Sequence, residues 1–260
     1  KDIRQYVKLR RCVRNAWHVA RRRHDRTGEL AVKLRSGITL HLRGACQDYT
    51  TFDRIFLRDE YHLKEYEAEV HGTVVDLGAN VGIFAARIAP QAARVICYEP
   101  MQSNFSQLEK NLGGLAHVTR VHAAVGDAGG TARIFQPRDT RISGGFTQYP
   151  HEALHAAEGY EEMPIVTLDQ VFAQHDIRAC DLLKIDTEGA EYAILYGTSD
   201  ETLARIRRIS GEYHRLEHGG AHTHIKALCA HLSARGFVVT LLPKRGMENH
   251  GLFFAARSRP

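Results

Sequence analysis

The 260-residue sequence lacks any run of about 18 apolar residues, so no segment reads as a membrane-spanning helix. Cysteine is sparse and unpaired. Cys12, Cys46, Cys97, Cys180 and Cys229 are odd in number and scattered, without a C-x-x-C pair. That argues against a disulfide framework or a thiolate zinc site, and it suits a reducing, cytoplasmic compartment. The first residues are charged and carry no signal-peptide apolar stretch. Lys1 is not an initiator methionine, so the sequence is open to starting inside a longer chain. No internal repeat or low-complexity tract is present. Also missing is the G-x-G-x-x-G spacing that seats a dinucleotide pyrophosphate on a helix.

Charge is unevenly placed. Residues 1–26 hold ten Lys/Arg against two Asp, a net +8, and the remainder holds 25 against 28, a net −3. Ile3, Tyr6, Val7, Val13, Trp17 and Ala20 recur at roughly helical spacing between the arginines. A basic amphipathic helix over 3–23 is expected to pack on its own domain or on a second subunit. Peripheral contact of residues 1–26 with an anionic membrane and contact with nucleic acid are the alternatives.

What is present is Val74-Val75-Asp76-Leu77-Gly78-Ala79-Asn80-Val81-Gly82-Ile83-Phe84. It reads as a buried strand, an acid at its end, a glycine turn and a helix start. The glycines admit positive φ and close ligand approach, while the helix N–H groups face the ligand. Such a cradle belongs at the carboxyl end of an open α/β sheet. The spacing is D-x-G-x-x-x-G, and an acid before the first glycine repels a pyrophosphate but suits an amine. S-adenosylmethionine has an amino-acid tail and no phosphate. Glu99, at the end of the apolar run Arg94–Tyr98, is placed to take both ribose hydroxyls. A plain tight βα corner is the alternative reading.

Ahead of this cradle, Glu29–Leu34 and Ile38–Leu42 alternate around Arg35-Ser36-Gly37, a hairpin signature. Thr50 or Thr51 is a candidate cap for a short helix presenting Phe52, Ile55 and Phe56. Residues 1–70 thus form an expected helix and hairpin extension over one side of the cleft, and 71–260 the main domain. Within the latter, strands are expected at 73–76, 94–98, 118–125, 182–186 and 207–214, alternating with helices. A hairpin of 237–242 with 252–256 closes the chain. Residues 129–168 interrupt the rhythm with two short strands around a polar loop holding Ser143-Gly144-Gly145-Phe146, read as a substrate lid.

Three segments together resemble the FkbM family: the cradle, Glu99-Pro100, and Leu183-Lys184-Ile185-Asp186-Thr187-Glu188-Gly189-Ala190-Glu191. The resemblance spans about residues 45–256, and I-D-x-E-G-x-E is its most particular motif. It implies a Rossmann-like class I S-adenosylmethionine-dependent methyltransferase, many of whose relatives act on hydroxyl oxygens. The implied fold is a doubly wound, mostly parallel seven-stranded sheet with an antiparallel last strand. Asp76, Gly78, Asn80 and Gly82 would line the methionine end of the cofactor and Glu99 would hold the ribose. Pro100 and Met101 would shape the adenine pocket. Asp127 would accept from the adenine amine, or else serve only as a turn residue.

For chemistry, Asp186, Glu188 and Glu191 cluster at the end of the fourth strand, beside the expected methyl position. Strand five brings Glu212 and His214 to the same sheet edge on one face. His214 is the first candidate for the base because an imidazole titrates near neutral pH; Asp186 is the second. Glu191 either joins them or only fixes the turn. His218, His222 and His224 follow, but with 16 histidines chance clustering explains them, and no metal is assigned. The expected activity is O-methylation of a sugar, glycolipid or secondary metabolite, with a small-molecule or glycan acceptor and a homo-oligomer open. A nucleic-acid methyltransferase using the basic arm is the runner-up. It is disfavoured by the acidic body and the absence of an N-P-P-Y-type tetrapeptide.

Overall fold

The computed structural model describes residues 2–135, 159–214, 224–244 and 247–257. The chain begins with α1 (Asp2–Cys12) and α2 (Ala16–Arg22), then the hairpin β1 (Glu29–Lys33) and β2 (Thr39–Arg43). The single helix expected over 3–23 is therefore broken. Val13 bridges to Leu34, and Asn15 donates to Ala31 O (2.8 Å) while accepting from Lys33 N (2.9 Å). Those strand contacts compete with helix continuation. The buried stripe is Leu9, Val13, Ala16 and Val19, whereas Ile3 and Trp17 are 81% and 62% exposed.

Next come α3 (Asp48–Phe52) and a π-helical turn, Asp53–Leu57. No threonine caps α3, for Gln47 occupies that position and Thr50 and Thr51 lie inside the helix. Phe52 stacks on Phe56 at 4.8 Å, and Arg43 grips the fully buried Asp48 through two nitrogens. Arg43 also reaches Asn104 (2.9 Å), which anchors the extension to the main sheet's helical layer.

The sheet begins with β3 (Thr73–Leu77), α4 (Ile83–Ile88), β4 (Arg94–Tyr98), α5 (Gln102–Leu112) and β5 (Val118–Val121). Three shorter strands follow: β6 (Ala124–Gly126), β7 (Gly130–Phe135) and β8 (Tyr160–Thr167). The expected continuous strand 118–125 is split at His122-Ala123. There β6 leaves the main sheet and joins a three-stranded one of order β6-β8-β7. His122 stacks on Phe105 at 4.7 Å and reaches Pro100 O at 2.9 Å, which fixes the break. The heart of the expected lid, 136–158, lies outside the described residues, as do His218 and His222.

The remaining elements are α6 (Leu168–Gln174), β9 (Leu182–Ile185), α7 (Glu191–Gly197), α8 (Asp200–Ala204), β10 (Arg208–Tyr213), α9 (Ile225–Ser233), β11 (Phe237–Lys244) and β12 (Met247–Arg257). α6 starts with a Thr167/Gln170 capping box. The seven-stranded sheet has the order β11-β12-β10-β9-β3-β4-β5, with β12 antiparallel to both neighbours and the other pairings parallel. This is the class I methyltransferase architecture, with the inverted strand last in the chain.

The main sheet has a core on each face because alternate strand residues face opposite ways. Val74, Val95 and Leu182 pack with α4, α5 and the N-terminal elements, while Val75, Leu77, Ile96 and Leu183 pack under α6, α7 and α9. The N-terminal segment shares the first core with the sheet. Among the described residues, no helix is long and apolar enough to cross a membrane.

Candidate active site

At the carboxyl end of β3 the chain turns sharply. Gly78 N and Ala79 N both donate to Tyr98 O at 3.0 Å, and Gly78 has φ +73°. A Cβ there would lie 1.9 Å from Asp186 O, so only glycine allows the end of β9 to pass this close. Asn80 follows with φ +52°, and its backbone N–H donates to Glu99 Oε2 (2.8 Å).

Glu99 is the anchor of β4. Its other oxygen accepts from Met101 N (3.0 Å) and Asn104 Nδ2 (3.3 Å). Burial pushes its carboxyl up to about 7 against these donors, which favour the charged form.

Beneath the turn, Lys184 donates to Gly78 O (2.6 Å) and Leu77 O (3.3 Å) and pairs with Asp76 at 3.1 Å. Burial opposes the lysine's charge, but Asp76 and Asp186 override it and its pKa is raised. Lys184 therefore holds the carbonyl side of the cradle in place.

A cavity of about 360 Å³ opens above these residues. Gly78, Asn80, Glu99 and Pro100 line one end and Asp186, Glu188, Glu212 and His214 the other. Four expected cofactor residues do not line it. Asp76 is fully buried on Lys184 below the turn. Gly82, at φ +82°, makes room for Leu108 and Leu112 of α5, which an added Cβ would meet at 2.7 and 2.8 Å. Met101 is buried with Ala124, Ile134 and Met163 under the small sheet. Asp127 is exposed and abuts Gly197 at the end of α7, which fits its turn-residue reading.

At the acceptor end, Glu191 is fully buried and accepts from Thr187 N (2.8 Å) and Gly189 N (2.9 Å). It thus fixes the turn, and it also pairs with His214 Nδ1 at 3.1 Å. His214 Nε2 meets Glu188 at 3.3 Å. Burial disfavours a charged ring, but Glu188 and Glu191 outweigh it and raise the His214 pKa well above its ordinary value. His214, the first candidate for the base, thus has a carboxylate at each ring nitrogen.

Several residues here carried no sequence motif. Tyr61 Oη donates to Asp186 Oδ2 at 2.9 Å, and Arg54 Nη2 to Glu212 Oε2 at 2.8 Å, with Glu60 also on Arg54. His250 Nε2 lies 2.5 Å from Glu212 Oε1. Burial raises the Glu212 pKa, but His250 and Arg54 outweigh it and keep the net shift downward. The ligand atoms of Glu212, His214 and His250 lie within 4.8 Å of one another, as do those of Asp186, Glu191 and His214. Each group is already engaged by an opposite charge or a donor, so the arrangement reads as an ion-pair network.

The chamber fits a nucleoside bearing an amino-acid tail. Glu99 and the backbone of the glycine turn line it together. Thr187 Oγ1, buried in the wall, has no hydrogen-bond partner among the described residues.

Residues 76–239 match the Methyltransferase FkbM domain model. The chain is 30% identical over 214 residues to 31-O-demethyl-FK506 methyltransferase FkbM of Streptomyces tacrolimicus, covering 72% of this chain and 78% of that one. It is 27% identical over 245 residues to the AMB antimetabolite synthetase AmbE of Pseudomonas aeruginosa, covering 80% of this chain but 11% of the synthetase. A solved Methyltransferase FkbM from Methylobacillus flagellatus aligns with a TM-score of 0.44 at 13% identity, over 98% of this chain and 58% of that one. The chain belongs to the FkbM methyltransferase family, and its cofactor is S-adenosylmethionine.

Proposed function

We propose that the enzyme methylates a hydroxyl oxygen of a sugar, glycolipid or secondary metabolite. The observation that carries this reading is the charged acceptor end of the cavity, where Asp186, Glu188 and Glu212 converge with His214 and His250. A hydroxyl must give up its proton during transfer, and such a wall offers acceptors for it. The name of the Streptomyces relative specifies an oxygen of a metabolite, which supports the same class.

When bound, S-adenosylmethionine supplies an electrophilic methyl group on a sulfonium. Gly78 and Asn80 would flank its amino-acid end, Glu99 would accept from the ribose, and Thr187 Oγ1 offers a further polar contact. Asp186, held by Tyr61 in the cavity wall, can orient an incoming hydroxyl. Orientation of that kind supplies much of the rate in a displacement.

The test is mass spectrometry of products from trideuteromethyl-labelled cofactor offered with methyl glycosides and macrolide alcohols, and with matched amines and carboxylic acids. Label in an ether is the expected result. Label confined to amines or acids would overturn the assignment.

A further inference from the structure

We propose that His250 is the general base of the transfer and that Glu212 is its positioning residue, an inference that rests on the hydroxyl-acceptor reading. The case begins with the ring nitrogens. A carboxylate can only accept a hydrogen bond, so an imidazole nitrogen facing one must carry a proton. His214 has a carboxylate at each nitrogen, Glu191 at Nδ1 and Glu188 at Nε2. Nδ1 hydrogen-bonds Glu191 and Nε2 lies in ion-pair range of Glu188, so each ring nitrogen already faces a carboxylate rather than an acceptor hydroxyl.

His250 differs. Its Nε2 donates to Glu212 Oε1 at 2.5 Å, and Nδ1 has no hydrogen-bond partner among the described residues. The ring lines the same cavity and is partly exposed, with its centroid 4.8 Å from that of His214. A nucleophile's base oriented by a buried carboxylate through its far nitrogen is the arrangement that fixes one tautomer and leaves the other nitrogen basic.

Glu212 is equipped for that role. It is 4% exposed, and Arg54 at 2.8 Å holds the oxygen opposite His250. Register explains why Glu212 and His250 meet. Glu212 pairs with Leu252 across β10 and β12, which sets His250 beside the end of β10.

The step balances simply. As the acceptor oxygen forms its bond to the methyl carbon, the carbon–sulfur bond breaks and its electron pair returns to sulfur, leaving a neutral thioether. The hydroxyl proton passes to His250 Nδ1. The resulting imidazolium is stabilised by Glu212 and returns its proton to solvent after product leaves. His214, held between Glu188 and Glu191, is not placed for this duty and instead ties the Glu188–Glu191 turn to β10.

Two readouts decide the matter. The first is long-range nitrogen–proton NMR of imidazole-labelled protein near neutral pH, with His250→Gln and His214→Gln used for assignment. His250 should show a neutral ring protonated at Nε2, and His214 a doubly protonated ring. Glu212→Gln should release His250 into a mixture of tautomers. A doubly protonated His250, or one protonated at Nδ1 alone, would overturn the proposal. This arm needs no acceptor.

The second is turnover on the alcohols named above. His250→Ala and His250→Gln should each lose roughly 10²–10⁴-fold in kcat. Calorimetric affinity for S-adenosylhomocysteine should stay within about twofold, which also shows that the variants fold. Wild-type kcat in either variant would overturn the base assignment. If the wild type methylates no alcohol, the hydroxyl reading fails by itself, and the tautomers still decide what His250 is.

Discussion

The Tyr61 hydroxyl donates to the Asp186 carboxylate at 2.9 Å, across 125 residues of sequence, and so joins the N-terminal layer to the end of β9. Tyr61 is itself buried, and burial together with Asp186 raises its pKa well above the ordinary phenol value. Tyr61→Phe keeps the ring packed edge-on against Phe84 but leaves the carboxylate without its donor. Hydrogen bonds to charged groups contribute about 1.5–3 kcal/mol, so kcat should fall by roughly tenfold or more. Steady-state kinetics with a urea melt will separate that loss from a loss of fold.

If Glu99 holds the ribose as proposed, cofactor binding should depend on pH. Its carboxyl titrates at about 7 in the folded protein because it is buried. In the proposed role, the ionised form is the one that would accept from both ribose hydroxyls. Calorimetric affinity for S-adenosylhomocysteine should therefore weaken as pH falls below about 7 and level off above it. The stability effect has the opposite sense. A raised carboxyl value favours folding below the unfolded value of 4.5, and that contribution is lost as pH rises towards 7. Glu99→Gln should flatten both profiles.

The two positive-φ glycines of the turn should respond differently to alanine. Gly78→Ala drives a Cβ into the Asp186 carbonyl, which is backbone and cannot step aside. Destabilisation should exceed about 3 kcal/mol, with cofactor binding lost. Gly82→Ala meets only leucine methyls of α5. It should cost about 1–3 kcal/mol yet leave affinity nearly intact. Denaturant melts and calorimetry on both variants check the contrast.

Lys184→Met removes the partner of a fully buried Asp76. Breaking such a pair costs about 3–5 kcal/mol, because the remaining charge is uncompensated. Adding Asp76→Asn to that variant should restore part of the loss. A double-mutant cycle by urea denaturation measures the coupling.

Much of the fold could be read from local pattern. Strands β3, β4 and β9 are apolar runs ended by Gly78, Glu99 and Asp186, and periodicity and stop signals place them within a residue of their observed bounds. The local signal failed where tertiary contacts overrode it. Asn15 diverts one helix into two, and His122 breaks a strand that looks continuous. The cofactor end was only partly legible. An acid before a glycine turn does not reveal whether it faces the cleft or, like Asp76, a buried lysine one strand away. The acceptor end was least legible. Arg54 and Tyr61 reach their partners across 158 and 125 residues, and His250 reaches Glu212 across 38, so no spacing rule links them.

The cradle, with Gly78, Asn80, Glu99 and Lys184, falls wholly within the stretch 76–239, whereas Arg54, Tyr61 and His250 come from outside it. Segments 48–61 and 247–257 therefore complete an acceptor wall whose other half, Asp186, Glu188, Glu212 and His214, lies within the shared stretch. Substitutions in those two segments can redirect which molecule is modified while the cradle keeps gripping the same methyl donor. Exchanging segments 48–61 and 247–257 between family members is thus one rational route to altered acceptor choice.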